Sequence, residues 1–195
     1  VSPYGKNIYF SLAWNTDLKH HELEGLSLAT AVVISNCLKE VIPEEIQIKW
    51  PNDLFISEKK VGGILIETVT LERGLTGVVI GVGLNILMTK EEGKNIDQDW
   101  TSLKGSKVDR NEISGLILEA IMNLTKNFRK EGFIFYKPFF EKLNFLQNKT
   151  CRVQTKNTVL QGTIKGINKK GELILEDKSN IHNLRYGEVN IVSRK

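Results

Sequence analysis

The string Lys49-Trp50-Pro51-Asn52-Asp53 carries the clearest chemical content in this sequence. Proline cannot donate to a strand ladder, so a strand bearing Lys49 must stop at Pro51. The residue before a proline is also held extended. Lys49 is thereby placed at the tip of a strand, a point charge suited to a carboxylate or a phosphate. The plain alternative is a solvated lysine ahead of an Asn-Asp turn, with Asp53 as turn former. A second string, Lys60-Val61-Gly62-Gly63-Ile64-Leu65-Ile66-Glu67, sets two glycines inside an apolar strand. Glycine there loses packing and entropy, and is tolerated at a bulge or where a ligand approaches the backbone. A third, Gly81-Val82-Gly83-Leu84-Asn85, offers half of a dinucleotide fingerprint, with no third glycine and no helix to follow. Residues two apart on a strand face one side. Gly81, Gly83 and Asn85 therefore present a flat strip with a polar end, and two such bare strands define a slot for a flat ligand.

Other reactive side chains lack partners in the sequence. His20 and His21 open a helix, His182 is isolated, and no His or Cys spacing matches a metal site. No nucleophile-elbow motif surrounds a serine. Glu22, Asp53 and Glu67 form no recognisable carboxylate pair. Cys37 reads as core, and Trp100 as the anchor of a long loop.

These strings need elements to hold them. Residues 7–14 read as a strand, and 19–42 as an amphipathic helix with one side on a sheet, stopped by Pro43. Residues 46–50, 61–69 and 75–86 read as three strands of an antiparallel meander. Residues 87–108 are polar and irregular, and a loop of that length is usually functional or mobile. Asp109 and Glu112 look like a capping box ahead of a helix whose stripe runs from Ile113 to Phe128. A shorter aromatic helix is expected over 133–146. Beyond Asn148, short alternating segments (151–156, 159–168, 171–178 and 188–192), with a tight turn at Asn168-Lys169-Lys170-Gly171, predict a small all-β module. The expected fold is α+β: a mostly antiparallel sheet with helices on one side over 1–148, then a small β-barrel over 149–195.

Composition sets the outer limits. The 195 residues carry 27 basic and 23 acidic side chains and are 41% hydrophobic, too apolar and too evenly charged for a disordered chain. No apolar run reaches the ~18–20 residues that span a bilayer, and two cysteines cannot make a disulfide scaffold. With no signal peptide visible, a reduced, cytoplasmic protein is the expectation. The charge is uneven: residues 1–148 hold 17 basic and 19 acidic side chains, whereas 149–195 hold 10 and 4, a net of +6.

Taken in order, the strings resemble biotin protein ligases over essentially the whole chain. SPYGKNIYFSL is similar to the strand after the family's nucleotide loop, and GLSLATA to its long helix. KWPNDLF followed by KVGGILIE is the diagnostic pairing, and GVGLNI resembles the next signature. The terminal module resembles the family's small SH3-like domain. The resemblance implies a two-step reaction. Biotin and Mg2+-ATP give biotinyl-5′-AMP and pyrophosphate, and a lysine of a biotin carboxyl carrier protein then takes the biotinyl group. It implies that Lys49 neutralises the biotin carboxylate and the α-phosphate and is the catalytic residue. Gly62, Gly63, Ile64, Gly81 and Gly83 would border biotin, and Asn52 and Asn85, with Lys49, would contact ATP. No resident metal site is implied, and a homodimer is compatible with the resemblance. The family's Gly/Arg-rich GRGRxxR loop is not in these 195 residues, and Val1 stands where its closing Trp would be; on this ground the chain alone is expected not to turn over. Two alternatives compete. A lipoate or octanoate ligase or transferase shares the fold but lacks the KWPND–GGILIE pairing. A nucleic-acid-binding module would use the basic terminal barrel, but Tyr186 is its only aromatic for stacking.

Overall fold

The computed structural model describes residues 3–103 and 109–192. Two five-stranded antiparallel sheets and two α-helices make up the described structure. The first sheet is built from β1 (Asn7–Thr16), β2 (Gln47–Lys49), β3 (Asp53–Ile56), β4 (Lys59–Thr70) and β5 (Thr76–Asn85), in the spatial order β1-β5-β4-β3-β2. Two helices, α1 (Leu26–Leu38), between β1 and β2, and α2 (Arg110–Leu143), after β5, pack on each other; α1 also packs on β2, β3 and β4. The second sheet comprises β6 (Thr150–Gln154), β7 (Val159–Ile167), β8 (Leu173–Glu176), β9 (Ile181–Leu184) and β10 (Glu188–Ile191), ordered β10-β6-β7-β8-β9. The fold is α+β, as the sequence predicts. Its buried side chains join into one hydrophobic cluster that runs from Ile8 through both helices to Cys151, Leu175 and Val189. The helix of the residues 19–42 is shorter than expected. A 3-10 turn at His20–Leu23 precedes it, and Gly25 at φ +78° separates the two. The left-handed backbone ends any continuous helix there, and a Cβ on Gly25 would lie 2.3 Å from the Phe133 ring. α1 is also buried on most of its circumference rather than on one side, because α2 covers what the sheet leaves open.

The strand β3 was not foreseen. Asp53 opens it instead of closing a turn, and Leu54, Phe55 and Ile56 are buried. The chain reverses next at Ser57 and Glu58, both at positive φ. α2 contains the two helices expected from the sequence: Gly132, at φ +57° and ψ −179°, breaks its helical backbone. Asp109 caps its start by accepting a hydrogen bond from the Asn111 backbone N–H at 3.2 Å. In the second sheet β9 was missed, since an exposed four-residue edge strand offers little pattern. The 168–171 turn forms as expected, with the Gly171 N–H donating to the Asn168 carbonyl. The segment 104–108 of the long loop, Val1, Arg194 and Lys195 lie outside the described residues.

Candidate active site

Strand register decides which side chains share a face. Lys49 lies opposite Asp53, Asp53 opposite Gly63, Gly63 opposite Gly83, and Gly83 opposite Tyr9. The next row on that face is Leu65, Gly81 and Ser11. The row between them is Ile64, Val82 and Phe10, and the row on the other side of the first is Ile48, Leu54, Gly62, Leu84 and Ile8; by alternation both turn toward the helices. The open face holds a cleft of about 560 Å³ lined by residues that include Tyr9, Ser11, Asn52, Asp53, Lys60, Gly63, Gly81 and Gly83.

The four glycines singled out by the sequence, Gly62, Gly63, Gly81 and Gly83, are not alike. A Cβ on Gly62 would meet the Gly83 carbonyl oxygen at 2.5 Å and Leu84 at 2.9 Å, so that glycine lets two strands approach. At Gly81 and Gly83 the nearest atoms would be 3.5 Å away, in ordinary contact. Their bareness is not required by packing; it keeps the cleft floor flat. At Gly63 the nearest atom would be Asp53 Oδ1 at 3.2 Å.

Over Gly63 lies an ion pair. Lys60 Nζ is 2.7 Å from Asp53 Oδ1, and both side chains are largely shielded. Lys60 reaches this face through a register shift between Leu54 and Phe55, across which Gly62 pairs with Leu54 but Lys60 with Phe55. Strict alternation from Gly63 would have turned Lys60 toward the helices. The bulge instead buries Val61 completely and sends Lys60 to the cleft. Its backbone is fixed by the long loop: the Lys60 N–H donates to the Asp99 carbonyl at 3.0 Å, and the Thr101 N–H to the Lys60 carbonyl at 2.8 Å. Asn52 is pinned as well, its Nδ2 donating to the Ile64 carbonyl at 2.8 Å while its own carbonyl accepts from the Ile64 N–H at 2.9 Å.

The residues expected from sequence are only partly brought together. Asn52, Gly63, Ile64, Gly81 and Gly83 line the cleft. Lys49 does not; the pairing with Asp53 puts it on the same face, but beyond the cleft's edge. Its ammonium lies 5.4 Å from the Phe55 ring centroid. Burial holds its pKa below the ordinary lysine value; Asp53 opposes the shift and Lys60 adds to it. Gly62 faces the core. Asn85 follows Gly83 on the open face but outside the lining, with its Nδ2 donating to the Thr101 carbonyl at 3.1 Å. Sequence reasoning passed over Lys60, Asp53, Tyr9 and Ser11. Lys60 stood in plain view at the head of the two-glycine string, but its face depends on the bulge. Trp100 anchors the loop as expected: its indole N–H donates to the Gly93 carbonyl at 3.3 Å. It also borders a second cavity of about 470 Å³ with Lys59, Lys90, Lys94 and Asp99. Among the described residues no three His, Cys, Asp or Glu side chains are grouped to hold a metal ion, and no helix is long and apolar enough to cross a membrane.

This arrangement can seat a flat ligand on bare backbone and meet an anionic group at one end with Lys60. The class defined is that of α+β proteins whose antiparallel sheet serves, on its helix-free face, as a ligand floor. Within it, residues 1–85 match the biotin/lipoate A/B protein ligase family, and residues 147–191 match the biotin protein ligase C terminal domain. The chain is 30% identical to the bifunctional ligase/repressor BirA of Escherichia coli (strain K12) over 98% of its own length, and spans 60% of that relative. It is 36% identical, over 49% of its length and 35% of the other's, to the biotin–[acetyl-CoA-carboxylase] ligase of Mycobacterium tuberculosis. The crystal structure of a biotin protein ligase from Aquifex aeolicus superposes with a TM-score of 0.82 at 25% identity, covering 97% of this chain and 83% of that one. The two family matches, the relatives and the solved structure all point the same way, to similarity with the biotin/lipoate A/B protein ligases and with biotin protein ligases in particular.

Proposed function

We propose that these residues form the biotin-handling part of an ATP-dependent biotin protein ligase acting in the cytoplasm, with 1–148 as catalytic body and 149–195 as a terminal SH3-like module. The biotin carboxylate attacks the α-phosphorus of Mg2+-ATP. The bond to the β-phosphate breaks, and biotinyl-5′-AMP and pyrophosphate result. The ε-amine of a lysine on a biotin carboxyl carrier protein then attacks the acyl carbon. An amide forms and AMP leaves.

The observation that carries this reading is a shielded Lys60 at the end of the bare strip Gly63, Gly83 and Gly81. A flat ring system rests on the strip. The Lys60 ammonium offsets the carboxylate and the charge gathering on the α-phosphoryl oxygens as the bond forms, and this is worth most in a partly desolvated site. Asp53 holds that ammonium in place between turnovers. Lys60 thus takes the role the sequence alone assigned to Lys49. Asn52 at the corner and Asn85 beside the loop are assigned to the nucleotide. A protein containing these residues, given Mg2+-ATP and a carrier domain, is expected to transfer biotin and to leave lipoate and octanoate untouched. Transfer of either linear acyl group in preference to biotin overturns the reading.

A further inference from the structure

The corner that carries Asn52 and Asp53 is braced from outside its own sheet. The Trp50 side chain is 2% exposed, and its indole N–H donates to the Gly171 carbonyl at 3.0 Å, across 121 residues of sequence. Gly171 closes the turn between β7 and β8 at φ +79°, and a Cβ there would meet Gly25 Cα at 3.1 Å and Leu28 Cδ1 at 3.2 Å. The turn and the start of α1 thus touch backbone to backbone, with the Phe133 ring packed against Gly25.

The turn is stiff. Asn168 Oδ1 accepts from the Lys170 N–H at 2.9 Å and the Glu172 N–H at 3.1 Å. Its Nδ2 donates to Glu172 at 2.6 Å, and Arg185 donates to the other Glu172 oxygen at 2.6 Å. Lys170 lies 3.6 Å from Glu24, beside the contact. Trp50 leads directly through Pro51 into Asn52 and Asp53, and Asp53 holds Lys60. A rigid turn of the second sheet therefore fixes the indole, and through it the backbone that presents the cleft's polar corner.

We infer that the 168–171 turn acts as a brace for the cleft: Trp50 and Gly171 are positioning residues that set Asn52 and the Asp53–Lys60 pair, while the glycine floor stands without them. The structural arm of this inference is independent of the activity proposed above; its kinetic arm rests on that reading.

The test uses the intact protein and two variants. Trp50→Phe keeps a ring and removes the donor, and Gly171→Ala forces the turn away from Gly25. Loss of one buried hydrogen bond predicts about three- to ten-fold faster amide exchange at Ile64, whose N–H is bonded to the Asn52 carbonyl. Exchange within Ile113–Leu124 of α2 stays unchanged. In turnover, kcat falls by a similar factor, or the KM values for ATP and biotin rise with it, because Asn52 and Lys60 shift together. Lys170→Ala, which removes only an exposed pair, matches the parent protein. Unchanged exchange at Ile64, an equal rise throughout the molecule, or turnover constants identical to the parent's overturns the brace. A parent protein that transfers no biotin would sink the proposed activity, and the exchange arm would still decide the coupling.

Discussion

Two antiparallel sheets of five strands each stand among the described residues, and their glycines and charges are arranged differently. In the first, Gly81 and Gly83 leave room that a side chain could fill. In the second, a Cβ on Gly162 would lie 2.3 Å from the Glu176 carbonyl oxygen and 2.8 Å from Leu175, so that glycine only lets strands close. Charge follows the same division. The first sheet shelters one ion pair, Lys60–Asp53, in its cleft. The second displays its basic residues, several of them already matched: Lys165 with Glu176, Arg185 with Glu172, Lys170 with Glu24. Glycine count and net charge do not distinguish a binding sheet from a supporting one. What distinguishes them is whether the bareness is forced by neighbours and whether the charge is shielded.

The sharpest way to break this contrast is at the lysines. Lys60→Ala is expected to slow adenylate formation by roughly 10²–10³-fold, the usual effect of losing a preorganised group aimed at developing charge. Lys49→Ala should cost less than about tenfold, and Lys165→Ala nothing measurable. Pyrophosphate release reads all three, and a larger loss for Lys49→Ala would return the role to that residue. The glycines come next. Gly62→Ala and Gly162→Ala each crowd a strand contact and should cost about 1–3 kcal/mol in denaturant unfolding. Gly81→Ala and Gly83→Ala should leave stability level or raise it by up to about 1 kcal/mol, yet weaken biotin binding severalfold in calorimetry.

Smaller effects probe the second sheet. If its basic residues steer an acidic carrier domain, the second-order rate with acceptor should fall a few-fold as salt rises from roughly 0.05 to 0.5 M. The existing carboxylate partners keep that slope shallow, and a flat response removes the steering. The smallest effect lies at Asp177. Backbone N–H groups of Ser179 and Asn180 and the His182 ring hold its pKa down, at about 2. A depressed carboxylate contributes stability above its unfolded value and loses it as pH falls. The melting temperature of Asp177→Asn should therefore trail the parent at pH 5–7 and converge with it as pH drops through about 4 to 2. A constant gap would contradict this.

Much of this was legible in the sequence, and what was hidden has identifiable physical causes. The alternation of residues 75–86 and the doubled glycines mark the cleft floor, and the Asp109 cap and the Gly132 break show in the helical pattern. The change of texture after Asn148 marks the second sheet. Lys60 was hidden because alternation predicts faces only while register holds, and the shift at Leu54/Phe55 inverts it. β3 was hidden because Asn-Asp reads as a turn and only four residues follow. The burial of α1 all round depends on α2, about 80 residues away in sequence, and no local period reports that.

The central claim is that the bare strip of the first sheet, closed at one end by Lys60, is where biotin sits. A crystal structure of the protein with biotin tests it most directly. The account predicts the ring system in van der Waals contact with Gly81 and Gly83 and the carboxylate within hydrogen-bond distance of Lys60 Nζ. Biotin seated against the second sheet, or with its carboxylate on Lys49 and away from Lys60, would contradict it.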